Sequence, residues 1–99
     1  MLNKDALNLL GLATRSRNIA TGEGVLKSIR NQSAKLVIIA SDASDNTKKQ
    51  LIDKCTHYQI EYIIEEDSTI ISKAIGKNNR MAVSILNQDF ASKIKGKIG

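Results

Sequence analysis

Two short segments of this 99-residue chain combine positive charge with turn-forming residues. The first runs from Thr21 to Arg30 and places Lys27 and Arg30 in an amphipathic, helix-like pattern. A helix start held beside a buried strand can present backbone N–H and ammonium groups to a phosphate chain. The alternative is structural, because Glu23 and Lys27 stand at the i, i+4 spacing of a helix ion pair, worth about 0.3–0.5 kcal/mol.

The second segment, Gly76 to Met81, has the polar and basic sequence GKNNRM and stands directly before an apolar run. It predicts either a plain β-turn or a binding loop, since exposed loops on rigid scaffolds often carry binding sites. Together the two segments supply the candidate binding residues, which are Thr21, Gly22, Glu23, Gly24, Lys27, Arg30, Gly76, Lys77, Asn78, Asn79, Arg80 and Met81.

Residues suited to catalysis or metal binding are few. Cys55 and His57 are the only cysteine and histidine, too few for a usual zinc site. Two positions apart on a predicted helix, their side chains point about 200° apart and cannot form a nucleophile–base pair. We expect Cys55 to be a buried core residue and His57 a solvated residue near a helix end.

Phosphate-loop and dinucleotide-binding motifs are absent from the sequence. The segment SDASDN, residues 41–46, lacks the glycine and the twelfth-position glutamate of a calcium loop, and capping of the next helix explains it better. The sequence therefore predicts no enzymatic activity, no cofactor and no metal.

Charge is unevenly distributed along the chain, whose net charge is +5. Residues 1–40 hold six Lys/Arg and two Asp/Glu, residues 41–67 hold three and seven, and residues 68–99 hold six and one. This pattern predicts one basic and one acidic face. With so small a net charge, the uneven distribution has two interpretations. It is either ordinary variation of a solvated surface or a basic surface that binds nucleic acid.

A single cysteine fits a reducing compartment. No apolar run approaches the roughly 20 residues that span a bilayer. The N-terminus has charges of both signs ahead of a short apolar part, unlike a signal peptide. We expect a cytoplasmic protein.

The elements that must position the two basic segments alternate between helix and strand. Four apolar runs predict strands, which are Ile19–Ala20, Leu36–Ala40, Ile60–Ile64 and Met81–Leu86. Five helices alternate with them, and the residues predicted to begin these helices are Asn3, Thr21, Ser44, Asp67 or Ser68, and Asn87 or Asp89. Gly76 is predicted to end the fourth helix in a left-handed conformation. The last helix carries Phe90, Ile94 and Ile98 at successive i+4 steps.

Helices alternating with short strands over short connections predict an α/β fold. We expect one domain over residues 1–99, a three-layer α/β/α sandwich with a small mixed sheet of about four strands.

Three stretches of the chain resemble the ribosomal protein L-seven-Ae/L-thirty-e superfamily. VLKSIRNQSAKLVIIASD, Val25 to Asp42, is similar to that superfamily's helix, basic turn and central strand. The helix ending Asp53 to Cys55, followed by a strand, fits the next part. AIGKNNRMAVSIL, Ala74 to Leu86, resembles its glycine-led loop and last strand. The resemblance covers roughly residues 3–95, and small bacterial members are the most similar.

This resemblance implies binding of kink-turn RNA, an internal loop with tandem sheared G·A pairs and a sharp bend. RNA would lie across the second helix start and the glycine-led loop, with Lys27 on phosphates and bases and Gly76 to Met81 near the bulged nucleotides. Glu23 and Gly24 stand where the superfamily has an amide or lysine followed by Glu or Gln. The resemblance therefore implies RNA binding more strongly than G·A-specific recognition. The expected partner is a structured RNA, either a kink-turn or part of a ribosomal RNA. We expect the chain to be a monomer that binds neither DNA nor membranes.

Two other hypotheses come from different classes. A protein–protein adaptor would use the acidic residues, which are Asp42, Asp45, Glu61, Glu65 and Glu66. A substrate-recognition domain of an RNA methyltransferase is a third role for such a fold, although 99 residues leave no room for a catalytic domain.

Overall fold

A computed structural model describes residues 2–97, and within them the chain forms five helices and four strands. The helices are α1 (Lys4–Arg15), α2 (Glu23–Arg30), α3 (Asp45–Tyr58), α4 (Ser68–Ala74) and α5 (Gln88–Lys95). The strands are β1 (Ile19–Thr21), β2 (Leu36–Ile39), β3 (Tyr62–Ile64) and β4 (Ala82–Ile85). Ile98, predicted on the last helix, lies outside the described residues.

The strands form one mixed sheet in the order β1-β4-β2-β3. β4 is antiparallel to both β1 and β2, and β3 is parallel to β2. Helices α2 and α3 pack together on one face, and α1 packs against α4 and α5 on the other. The predicted α/β/α sandwich is therefore confirmed. Every residue of β2 and β4 is buried, as expected for strands covered by helices on both faces.

A buried hydroxyl pair fixes α2 on the sheet. The Ser28 and Ser84 hydroxyl oxygens share a hydrogen bond of 2.8 Å, and Ser28 also donates to the Val25 carbonyl at 2.7 Å. Both serines are buried, so each polar group is satisfied without water. This contact sets α2, and with it the first basic segment, directly over β4.

Four of the five helix starts carry a side-chain cap, each at a residue that the sequence predicts. The cap oxygens accept a backbone N–H at 2.8–3.1 Å, and the capping residues are Asn3, Ser44, Asp67 and Asn87. Each bond satisfies one donor that a helix start leaves unpaired. Gly76 follows α4 with φ +69°, which confirms its predicted left-handed conformation.

The prediction that Thr21 caps α2 is wrong. Thr21 is the last residue of β1 and pairs with Val83 of β4, so sheet pairing keeps it extended. Gly22 is the N-cap instead. The predicted strand Ile60–Ile64 is also too long, because β3 begins at Tyr62. The Ile60 N–H donates to the Cys55 carbonyl at 2.8 Å, which makes Ile60 part of the end of α3.

Asp42 joins the end of β2 to the start of α4. Its carboxylate accepts the Ser68 hydroxyl at 2.8 Å and the Ser68 backbone N–H at 2.7 Å. These two hydrogen bonds hold the pKa of Asp42 below its ordinary value of 3.8, and the bond from the Ser68 hydroxyl has the larger effect. The contact orients α4, and the loop that follows α4 carries the second basic segment.

We expect Asp42→Asn to lower stability at neutral pH and to weaken the response to acid. A carboxylate with a lowered folded-state pKa contributes stability that is present above its unfolded pKa, near 3.8, and is lost as pH falls through the folded value. The gap in denaturation midpoint between wild type and Asp42→Asn should therefore narrow from pH 7 to pH 3. Urea titrations at both pH values measure it, with Asp53→Asn as an exposed control on α3. An equal gap at the two pH values would contradict the assignment.

Candidate nucleic-acid interface

The turn into α2 is made by glycine. Gly22 has φ +58° and ψ −132°, a conformation that side chains with a Cβ rarely adopt. Its carbonyl accepts the Val25 N–H at 3.2 Å, and it provides no side-chain cap. Within residues 2–97, α2 is thus the helix whose first N–H groups lack a side-chain acceptor, and such groups are satisfied by water or a ligand.

The outward face of α2 is basic and exposed. Lys27 and Arg30 are exposed, whereas Val25 and Ile29 face the core, as the helical pattern predicts. Glu23 is exposed as well, but it forms no ion pair with Lys27 among the described residues. The structural alternative for Lys27 is therefore not realised in this conformation, and its ammonium group is available to a ligand.

The loop from residue 76 to residue 81 is anchored by one serine. The Ser72 carbonyl accepts the Lys77 N–H at 2.9 Å, and its hydroxyl oxygen accepts the Arg80 N–H at 2.8 Å. At the far end, the Met81 carbonyl accepts the Ala40 N–H at 2.8 Å. Ser72 is not among the sequence-predicted site residues. Its position between the buried Ile71 and Ile75 is the signal that could have indicated a structural role.

The fold brings the two basic segments together at Gly22 and Arg80. A Cβ built on Gly22 would lie 3.7 Å from Arg80 Nη1. A groove of about 270 Å³, here called the central groove, opens at this point. Its lining includes Gly22, Leu26, Thr47, Gln50, Arg80 and Met81. Thr47 and Gln50 come from α3 and were missed, because no local pattern tells which face of α3 meets α2.

Arg80 is half-buried, and its Nε is buried without a hydrogen-bond partner in residues 2–97. An unpaired buried donor is costly, and a shift of the Arg80 side chain on binding would let a ligand acceptor satisfy it. Arg80 therefore combines a charge with an unsatisfied donor at the point where the two segments meet. Met81, beside it, is exposed.

The remaining predicted residues lie on both sides of the central groove. Leu26 also lines an open groove along α2 with Glu23, Gly24, Lys27 and Arg30. On the other side, Asn79 also lines a third groove with Lys77 and Asn78. Most predicted residues thus occupy one continuous surface. Thr21 does not line any of these three grooves, since β1 holds it in the sheet.

Residues suited to catalysis are not assembled in the described part of the chain. Cys55 is fully buried, and burial raises the pKa of its thiol to about 11, which keeps the thiol protonated. His57 is exposed near the end of α3, as predicted, and its ring lies against Tyr58. Within residues 2–97, no group of three or more His, Cys, Asp or Glu side chains could hold a metal ion.

Comparison with known proteins assigns the chain to a family. The model of the Ribosomal protein L7Ae/L30e/S12e/Gadd45 family matches residues 4–95. The chain belongs to this family. The assignment agrees with the resemblance of its helix, basic turn and central strand.

Two bacterial proteins with RNA-binding names are similar to this chain over most of its length. The chain is 45% identical over 87 residues to RNA-binding protein YlxQ of Bacillus subtilis (strain 168), and the match covers 87% of each chain. It is 41% identical to RNA-binding protein YlxQ of Enterococcus faecium, covering 91% of this chain and 87% of the relative. A solved protein of unknown function from Bacillus halodurans C has 39% identity and a TM-score of 0.89, covering 95% of this chain and 96% of that one.

The fold extends to a more distant solved structure. A Giardia lamblia 15.5kD RNA binding protein superposes with a TM-score of 0.75 at 21% identity, covering 97% of this chain and 92% of its own.

Among the helices described within residues 2–97, none has both the length and the apolar character that crossing a membrane requires.

Several acidic side chains of residues 41–67 form internal contacts. Asp42 is bonded to Ser68, and Glu61 forms an ion pair with Lys95 of α5. Asp67 caps α4, where its carboxylate accepts the Ile70 N–H at 2.8 Å. These contacts explain part of the acidic middle of the sequence by folding, without a partner.

Proposed function

We propose that the chain is a non-enzymatic RNA-binding protein whose target is a kink-turn or a related bent internal loop. Membership of the ribosomal protein family and the RNA-binding names of its bacterial relatives support RNA as the partner. The proposal includes a cytoplasmic, monomeric chain associated with a ribosome or another ribonucleoprotein.

The meeting of Gly22 and Arg80 carries the proposal. It places a helix start without a side-chain cap beside a guanidinium group whose Nε has no partner in the described residues. Backbone N–H groups at a helix start and a guanidinium group both donate to phosphate oxygens. A sharply bent RNA strand would present phosphates to both donors at once.

The residues around Gly22 and Arg80 would contact either RNA phosphates or RNA bases. Lys27, Arg30, Lys77 and Arg80 would contact phosphates, which fixes the RNA on the protein and makes affinity depend on salt. Glu23 can accept hydrogen bonds from guanine amino and imino groups, but its charge repels phosphate. Gly24 provides no side chain for a base. Base reading therefore rests on few groups, and shape carries more of the specificity.

Selection by shape follows from the geometry of the surface. Neighbouring grooves share Leu26 or Asn79, so the three form a surface that extends from α2 across the loop to α4. We infer that a bent RNA covers this surface more completely than a straight duplex does. An RNA that is already bent avoids the cost of bending, so the protein should select the bent conformer.

A duplex with tandem G·A pairs is expected to bind more tightly than the same duplex with Watson–Crick pairs at those positions. The expected difference is about 1 kcal/mol, the lower end of the cost of bending a duplex. Fluorescence anisotropy at one fixed salt concentration measures both affinities, with a length-matched hairpin without an internal loop as control. Equal affinities for the two duplexes would reject kink-turn preference while leaving general RNA binding in place.

A further inference from the structure

The groove that Asn79 lines with Lys77 and Asn78 lies on the other side of the loop from the central groove. This surface, here called the α4 groove, has a volume of about 260 Å³ and lies between α4 and residues 77–79. Asn79, with φ +55°, lines both the α4 groove and the central groove. The loop is therefore a ridge between two grooves, and a ligand in one can continue into the other across Asn79.

The lining of the α4 groove is rich in hydrogen-bond donors. Within residues 2–97, no hydrogen bond or ion pair occupies its side chains Thr69, Lys73, Lys77, Asn78 and Asn79. Ser68 and Ser72, which also line it, are engaged by Asp42 and by Arg80. No carboxylate lines the groove in this part of the chain. Two lysines, two amides and a hydroxyl without acceptors make a surface that suits an anion.

The chemistry favours a phosphate over a base. No aromatic side chain among the described residues lines the α4 groove, so nothing there would stack on a nucleobase. Asp42 lies at its Ser68 end, where it disfavours a phosphate. Lys73 and Lys77 are exposed and form the basic part of the groove.

We propose that the α4 groove binds the phosphate backbone of a stem that flanks the bend of the same RNA, with Lys73 as its main new contact. Lys73 lies on α4, outside both basic segments that the sequence indicates. The inference rests on the proposed RNA binding and extends it from the helix α2 start, across the Asn79 ridge, to α4.

The test compares Lys73→Gln with Lys93→Gln, an equal loss of charge at an exposed lysine on α5. Affinity for a kink-turn duplex is measured by anisotropy from 50 to 200 mM salt. Losing one phosphate contact lowers the salt slope by about 0.9. The advantage of wild type over Lys73→Gln should therefore shrink about 3.5-fold across this range, and Lys73→Arg should restore it. Lys93→Gln should match wild type.

Shortening each flanking stem of the RNA in turn locates the contact. The effect of Lys73→Gln should disappear with one shortened stem, whereas the effect of Lys27→Ala should persist with both. If Lys73→Gln behaves like Lys93→Gln while Lys27→Ala weakens binding, the α4 groove assignment is wrong and the proposed function stands. An effect that survives removal of both stems places Lys73 at the bend and overturns the assignment too. If wild type does not bind the duplex, both proposals fail together.

Discussion

Replacing Lys27 with alanine is expected to weaken kink-turn RNA binding by about 1–3 kcal/mol and to lower the salt slope by about one ion. Lys27 is exposed on α2, one turn before Arg30, and forms no ion pair within residues 2–97. Its removal therefore breaks nothing inside the protein that the structure describes. The loss falls on the RNA contact alone.

Anisotropy titrations at several salt concentrations measure both quantities. Lys93→Ala removes an equal charge from α5, which lies across the sheet from α2, and controls for the general loss of positive charge. Thermal unfolding should show the same midpoint for Lys27→Ala and wild type. Equal affinity of the two proteins at moderate salt would remove Lys27 from the interface and with it the main support for this use of α2.

Much of the fold can be predicted from the sequence where the causes are local. Asn3, Ser44, Asp67 and Asn87 cap helices because each side-chain oxygen reaches an N–H three residues ahead. Gly76 ends α4 because it tolerates φ +69°. Both the helix caps and the conformation of Gly76 can be predicted without knowing how the chain packs.

Two predictions fail, one through strand pairing and one through a helix-ending turn that no glycine marks. Thr21 has the chemistry of a helix cap, yet pairing with Val83 keeps it in β1. Gln59 adopts φ +59° at the end of α3, although no glycine marks the position. That turn takes Ile60 out of the strand predicted for it. The cause at Gln59 is the hydrogen bonding that ends α3, in which the Ile60 N–H reaches the Cys55 carbonyl.

The candidate site was predictable in its parts and not in its assembly. The sequence indicates the basic face of α2 and the loop of residues 76–81 separately, and the family resemblance puts RNA on both. Their contact at Gly22 and Arg80 depends on β1 and β4 being neighbours in the sheet. Thr47, Gln50 and Ser72 join the site only through packing, so residue type alone did not identify them.

Gly22→Ala is expected to destabilise the fold by about 1–3 kcal/mol through backbone strain. The reason is conformational, because Gly22 has φ +58° and ψ −132°. Space is not the obstacle, since the new Cβ would lie 3.7 Å from Arg80 Nη1, an ordinary van der Waals distance. Urea denaturation of the free protein measures the effect as a lower midpoint with an unchanged slope.

The matched control is Gly96→Ala at the end of α5. Gly96 has φ −70° and ψ −10°, and a Cβ there would lie 3.6 Å from its nearest neighbours. The same substitution should then stabilise the fold by about 0.4–1 kcal/mol, because alanine restricts the unfolded chain without straining the native one. If both variants shift the midpoint alike, the turn at Gly22 does not require a left-handed backbone.

If Gly22→Ala lowers the urea midpoint and Gly96→Ala raises it, the loss of stability in Gly22→Ala comes from the turn between β1 and α2. That turn also sets the distance from the start of α2 to Arg80, so relaxation of the strain would change the spacing of the two donors. RNA affinity of Gly22→Ala, measured well below its unfolding midpoint, should therefore fall while that of Gly96→Ala does not. A strained turn that held both donors in place would instead lower stability and leave affinity unchanged, which would separate the role of Gly22 in folding from its proposed role in binding.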